Sequence, residues 1–254
     1  MEKKLITFLG NGNMALSIAH GLKGNYEIEV VGRDTKKLNI FEEKLGVKIK
    51  KSLFNDFDVT QKTVLLCVKP VNVESVGSLL QGEAQLFISV LAGTSLKKLQ
   101  THFQAQGFVR SMPNLAASVS RSMTTLCGDE NYKVESIEIL NAIGSTQWLG
   151  SEKEIDIATA LAGSGPAYLA LMAEALADGA VKQGLKRDDA MKIMQGLFGG
   201  FGELIQTTHP ALLKDGVMSP GGTTAAGYDA LEKNNVRYGC MSAVEAAYKK
   251  ALEL

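Results

Sequence analysis

The chain has 254 residues, 45% of them hydrophobic and 21% charged, with 27 lysines and arginines against 27 acidic residues. That length buries a substantial core and suits two domains, while the balanced charge gives no basic field for nucleic acid or an anionic membrane surface. No apolar run reads as approaching the ~20 residues of a membrane span, and the N-terminus leads into a strand with no signal-peptide core, so no membrane association is expected.

Leu5–Leu9 is a short apolar run that predicts the first strand, followed by Gly10-Asn11-Gly12-Asn13-Met14-Ala15 and a helical pattern through Ile18, Ala19 and Leu22. Gly10 and Gly12 let the backbone turn and approach a pyrophosphate, which sits on the helix N-terminus where unpaired N–H groups favour negative charge. Ala15 stands where the third small residue of G-x-G-x-x-G/A belongs. A second strand, Ile28–Val31, ends at Gly32-Arg33-Asp34, with Lys36 and Lys37 behind it. A guanidinium suits a 2′-phosphate, so Arg33 predicts NADPH; Asp34 keeps NADH open, and a solvated charge run opening a helix is the plain alternative.

Further strands are expected at Val64–Val68, ended by Lys69-Pro70; at Leu86–Leu91, ended by Ala92-Gly93; and at Phe108–Ser111, running into Met112-Pro113-Asn114. Ser122–Leu126 and Gln147–Leu149 complete the set. Strands alternating with helices predict a mostly parallel sheet with helices on both faces, in which ligands collect at the carboxyl ends of strands. Cys67, Val68, Lys69, Pro70, Ala92, Gly93 and Asn114 therefore join Gly10–Ala15 and Arg33 as cofactor-binding candidates, although each turn alone is also simple punctuation. Cys67, inside an apolar strand, also reads as core packing.

Past residue 150 the strand pattern stops and alanine-rich helical patterns take over, so residues 1–150 and 151–254 are expected to be separate domains. Ile155–Ala162 and Ala167–Val181 carry small apolar residues on several faces, which calls for a partner chain to cover them. The Gly163–Tyr168 turn is expected to break these helices, with Ser164 as cap and Pro166 in the first turn of the next. Gly196, Gly199, Gly200 and Gly202 flank Phe198 and Phe201 in the following helix, where glycines permit close approach of another backbone. Ser219-Pro220-Gly221-Gly222-Thr223-Thr224 pairs a glycine-rich turn with hydroxyls, a concavity that suits a carboxylate; a turn with a helix cap is the alternative. Cys67, Cys127 and Cys240 are odd in number and unrelated in context, which predicts reduced thiols and a cytoplasmic location. His20, His102 and His209 stand at no ligand spacing, so no metal is expected.

Together these motifs resemble the pyrroline-5-carboxylate reductase family. The resemblance runs through G-N-G-N-M-A at Gly10–Ala15, V-K-P at Val68–Pro70, S-V-L-A-G at Ser89–Gly93, R-S-M-P-N at Arg110–Asn114, G-S-G-P-A-Y at Gly163–Tyr168 and S-P-G-G-T-T at Ser219–Thr224. The last two are the most specific. Ala162 and Met218 depart from the family's usual serine and small residue, and Met218 bears on the shape of the substrate pocket. The resemblance implies an α/β, Rossmann-like dinucleotide-binding domain followed by an all-α dimerisation domain, with dimers able to build larger rings. It implies hydride transfer from the nicotinamide to a cyclic imino acid, with Thr224 hydrogen-bonding the ring nitrogen. Ser219 and the N–H groups of Gly221, Gly222 and Thr223 would hold the carboxylate, and Glu152 would lie beside the substrate or serve only as a helix-start acid. A β-hydroxyacid dehydrogenase using Lys182 or Lys192, a coenzyme F420-dependent reductase, and a non-catalytic nucleotide sensor are the competing readings.

Overall fold

Strand β1 (Leu5–Leu9) shows why the sheet forms: Ile6 and Phe8 point to one face and Leu9 to the other, all fully buried, as the two-residue period of a strand covered on both sides requires. The computed structural model describes residues 3–55 and 57–253. After β1 come α1 (Asn13–Leu22), β2 (Glu27–Gly32), α2 (Thr35–Leu45), β3 (Lys50–Leu53), β4 (Phe57–Asp58), β5 (Thr63–Leu66), α3 (Val73–Gly77), β6 (Leu80–Gln81), β7 (Ala84–Ser89), α4 (Leu96–His102), β8 (Ala105–Met112), β9 (Ser122–Gly128), α5 (Lys133–Leu140) and β10 (Gly144–Trp148). Eight strands form one sheet in the order β10-β9-β8-β7-β5-β1-β2-β3. Every pairing is parallel except β8 with β9. The strand order runs outward from β1 in both directions, to β2 and β3 on one side and to β5 and β7 on the other, which makes it the switch point where a doubly wound sheet opens its ligand crevice.

One core cluster packs α1, α2 and α5 on the face carrying Ile6, Phe8, Leu65 and Ile88. The other packs α3 and α4 on the face carrying Leu9, Leu66 and Phe87, where Phe87 stacks on Phe103 with ring centroids 4.8 Å apart. The seven expected strands are present, Leu5–Leu9 with the expected ends and the other six with shifted ones, and β3, β4 and β6 are additional. Strand β5 stops at Leu66, so Cys67 lies just past the strand.

Helices follow: α6 (Glu152–Ala158), α7 (Gly165–Lys182), α8 (Arg187–Leu204), α9 (Pro210–Val217), α10 (Thr223–Lys233) and α11 (Val236–Ala251). The chain divides into two units, one running to Ser164 and resuming at Ala247, the other Gly165–Ala246. The first unit passes residue 150 because α6 packs on β8 and β9. Two expectations change in this region. Gly163–Pro166 does not break the helix: Thr159–Gly163 forms a single wide π-helical turn, and Ser164 continues in helical conformation rather than capping α7. Consequently Glu152–Lys182 is one 31-residue helical stretch with mean hydropathy 1.3, long and apolar enough by length and composition to cross a membrane, where the separate runs read from the sequence did not suggest it. It carries nine alanines and three glycines among larger apolar residues, a composition that also suits helix-against-helix packing.

In the second unit, Ala177 and Ala190 are the only fully buried residues of α7 to α11 among those described. Leu171, Leu197 and Leu212 are each more than half exposed. At Gly196, Gly199, Gly200 and Gly202, an added Cβ would meet nothing within 4 Å.

Candidate active site

A cleft of about 450 Å³ opens at the carboxyl ends of β1, β2 and β5, lined by Gly10, Asn11, Gly12, Arg33, Asp34, Lys37, Phe54, Cys67, Val68, Lys69 and Asn72. Its glycines do different things. Gly10 has φ +108°, and a Cβ there would lie 2.8 Å from the Cys67 carbonyl oxygen, so the fold itself demands glycine. Gly12 has an ordinary extended backbone, and a Cβ on it would meet nothing within 4 Å. The space over Gly12 is open to a ligand. Gly12 also caps α1 without a side-chain hydrogen bond, and the first bond of that helix is donated by Leu16. The N–H groups of Asn13, Met14 and Ala15 thus face outward unpaired, while the Ala15 side chain is fully buried against the sheet.

At the far end of the cleft, Asp34 accepts from the N–H groups of Lys36 at 2.7 Å and Lys37 at 3.3 Å, capping α2. One carboxylate oxygen is thereby committed to the helix rather than to a ribose. Arg33 and the Lys37 ammonium form no ion pair with any described residue, and both line the cleft. Two unpaired cations beside a helix N-terminus and a glycine cradle fit a phosphorylated dinucleotide.

The remaining cofactor candidates lie further along the sheet. Pro70 opens a short 3-10 turn, Pro70–Asn72, and Gly93 takes φ +63° in the turn after β7. Asn114 is held by local bonds: its Oδ1 accepts from Ala116 N–H at 3.0 Å, its Nδ2 donates to the Ala162 carbonyl at 3.0 Å, and its own N–H donates to Ser122 Oγ at 3.0 Å. The Ala162 bond ties the π-helical turn to the end of β8. Burial pushes the Cys67 thiol well up and the Cys127 thiol up to about 11, so both stay neutral packing groups.

A feature the motifs did not announce sits in β8. Arg110 is 4% exposed and pairs with Glu152 Oε1 and Asp156 Oδ1, each at 2.8 Å. Burial would push its pKa down; the hydrogen bonds it donates to the two carboxylates outweigh that and hold it above its ordinary value. Glu152 Oε1 also accepts from the Leu96 N–H at 2.8 Å. Glu152, expected beside the substrate, therefore spends one oxygen on the sheet and α4, leaving Oε2 without a hydrogen bond to any described residue. The signal was an arginine in the interior of an apolar strand, which must find partners.

In the second unit, Gly221 takes φ +68°, and Gly222 donates its N–H to the Ser219 carbonyl at 3.0 Å. Of the donors expected to hold a carboxylate, that of Gly222 is taken by the turn; its missing side chain matters because a Cβ would run into Ser219 Oγ. Gly222 is also the N-cap of α10, with no side-chain cap bond. Thr224, the second residue of that helix, is exposed and its hydroxyl makes no hydrogen bond to any described residue. It does not cap the helix.

The parallel sheet, its switch point and the glycine-lined cleft define a dinucleotide-dependent oxidoreductase. Residues 5–93 match the family described as NADP oxidoreductase, coenzyme F420-dependent, and residues 152–254 the one described as pyrroline-5-carboxylate reductase dimerisation. A pyrroline-5-carboxylate reductase of Synechocystis is 42% identical over 201 residues, covering 76% of this chain and 75% of the relative. The solved pyrroline-5-carboxylate reductase of Coxiella burnetii superposes with a TM-score of 0.83 at 33% identity, covering 98% of this chain and 97% of that one. The Plasmodium falciparum pyrroline carboxylate reductase with NADP bound gives 0.79 at 28%, covering 100% and 98%. The chain belongs to the pyrroline-5-carboxylate reductase family. It is a nicotinamide-dependent oxidoreductase that self-associates through its helical region.

Proposed function

We propose that this protein reduces Δ1-pyrroline-5-carboxylate to L-proline, the last step of proline biosynthesis, with NADPH preferred over NADH. The observation that carries the reading is the unengaged Thr224 hydroxyl at the start of α10, beside the glycine turn. Bound NADPH would supply the hydride. Gly10, Gly12 and the N–H groups of Asn13 to Ala15 would hold its pyrophosphate, Arg33 its 2′-phosphate, with Asn11, Cys67, Val68, Lys69, Pro70, Ala92, Gly93 and Asn114 bordering it. Asp34, committed to capping α2, is a poor ribose ligand, which supports the phosphorylated cofactor.

The substrate is a cyclic imino acid. Ser219 Oγ and the free N–H groups of Gly221 and Thr223 bind its carboxylate, and the N-terminus of α10 adds favourable potential. The Thr224 hydroxyl hydrogen-bonds the ring nitrogen, accepting from the N–H of the protonated imine, and orients it as it becomes an amine. Of the Glu152 carboxylate, only Oε2 is left for a ligand. Hydride transfer to the ring in its protonated-imine form converts C=N–H⁺ directly to the neutral secondary amine, so the step needs no further acid or base; the protein's work is orientation and exclusion of water. The helical region 151–254 is read as the dimerisation and substrate-binding domain and 1–150 as the cofactor domain, in a dimer that can build rings. The free state of Cys67, Cys127 and Cys240 supports a reducing, cytoplasmic setting.

The test is steady-state kinetics on purified protein with NADPH and pyrroline-5-carboxylate, against hydroxyacids and reduced F420 as controls. Thr224→Ala should lower kcat and kcat/KM together by about 100-fold, and Ser219→Ala should act chiefly on KM. Normal turnover by Thr224→Ala would remove that residue from the chemistry.

A further inference from the structure

Arg110 does not line the cleft, yet its partner Glu152 holds the segment that follows β7. In the sheet, β2 carries Arg33 at its carboxyl end, and β1, β5, β7 and β8 succeed it in order, with β7 parallel to β5 and β8 parallel to β7. A dinucleotide anchored at Arg33 and crossing the α1 N-terminus brings its second half over the carboxyl ends of β5 and β7. There the backbone leaves β7 through Ala92, Gly93 at φ +63° and Thr94, and enters α4 at Leu96. Two bonds fix that turn: Thr94 Oγ1 donates to the Ala92 carbonyl at 3.3 Å, and the Leu96 N–H donates to Glu152 Oε1 at 2.8 Å. The second acceptor belongs to a side chain 56 residues away, and Arg110 holds that carboxylate in place. Asp156, one helical turn on, occupies the other arm of the guanidinium, so α6 cannot pivot about a single bond.

We propose that Arg110 is a positioning residue: through Glu152 it sets the turn after β7, and so the placement of the reduced ring of the dinucleotide, while leaving the Arg33 end untouched. This rests on the cofactor reading above. A side chain that served only to hold the fold together would affect both ends of the cofactor alike.

The experiment measures binding to the intact protein by calorimetry, with NADPH and with 2′,5′-ADP, a fragment confined to the Arg33 end. For Arg110→Met, NADPH should bind about tenfold or more weakly and kcat should fall by 10- to 100-fold, as a sub-ångström misplacement produces, while 2′,5′-ADP stays within about twofold of wild type. Arg110→Lys, able to reach one carboxylate, should recover part of the loss. Because Arg110→Met leaves two partly buried carboxylates without their cation, the charge-neutral triple variant Arg110→Met/Glu152→Gln/Asp156→Asn is measured beside it and should behave the same way. Parallel weakening of both ligands, or neither, in a folded variant overturns the assignment. Failure of the wild-type protein to bind 2′,5′-ADP overturns the cofactor reading, and this inference with it.

Discussion

The two units of this chain obtain their stability in opposite ways. In the first, Ile6, Phe8, Leu9, Leu65, Leu66, Phe87 and Ile88 are completely buried by their own chain, and the two faces of the sheet each carry a core. In the second, five helices, α7 to α11, hide two alanines and leave leucines exposed along their length. The open glycines of α8 make the same point, since a helix gains nothing from glycine unless another backbone comes close. The glycine-lined cleft therefore sits on a scaffold that is complete in one copy, whereas the Ser219–Thr224 turn sits among helices whose apolar side chains one copy leaves exposed.

The largest expected effect breaks the second kind of stability. Leu171 is 67% exposed and borders an apolar groove with Met172, Leu176 and Val236. In a two-fold dimer Leu171→Arg places an unpaired charge on both copies, each costing about 3–5 kcal/mol once buried. Sedimentation should show monomers, and activity should be lost, while 2′,5′-ADP still binds. A stable, active monomer would end the comparison. Phe87→Ala should do the converse, costing about 3–5 kcal/mol in denaturant unfolding through the cavity it leaves among Phe103 and Phe108, without altering the assembly. Next in size, Arg33→Ala should weaken NADPH by about 1.5–3 kcal/mol and NADH hardly at all, equally in dimer and dissociated protein; equal loss for both cofactors would remove Arg33 from the 2′-phosphate. The smallest effect is kinetic. Cys127 is buried by its own chain and Cys240 lies in the helical groove, so dilution or the Leu171→Arg change should speed alkylation of Cys240 and leave Cys127 protected until unfolding.

Sequence and structure agreed where a signal was local. The run from Leu5 to Ala15 contains strand, turn and cap in eleven consecutive residues, so its periodicity and glycines sufficed. Strand β3 escaped because Lys50, Lys51 and Leu53 are exposed at the sheet edge; its identity as a strand comes from pairing with β2, which no alternation reveals. The Gly163–Pro166 segment was read as a break because glycine and proline usually are one. Pro166 is the second residue of α7, in the first turn, where proline is tolerated because an N–H there has little use, and the wide turn before it carries the helical path through. Arg110, Glu152 and Asp156 stand 42 and 46 residues apart, a distance at which only the folded sheet can pair them. At Ser219–Thr224 the turn was legible, but which N–H was already used by Gly222 depended on the carbonyl it folds back upon.

Gly10 and Gly12 differ in what would notice their loss. An alanine at Gly10 collides with the backbone at Cys67 and is felt by folding itself. An alanine at Gly12 projects into open space, so the protein should express and assemble normally and lose only the ~1 kcal/mol of a poorer N-cap on α1, while on the proposed cofactor reading its methyl group occupies room for a phosphate. Screens that score abundance or heat resistance would register position 12 weakly, and growth that depends on the reaction strongly. On that reading the requirement for glycine there is written in the shape of the ligand, not of the protein.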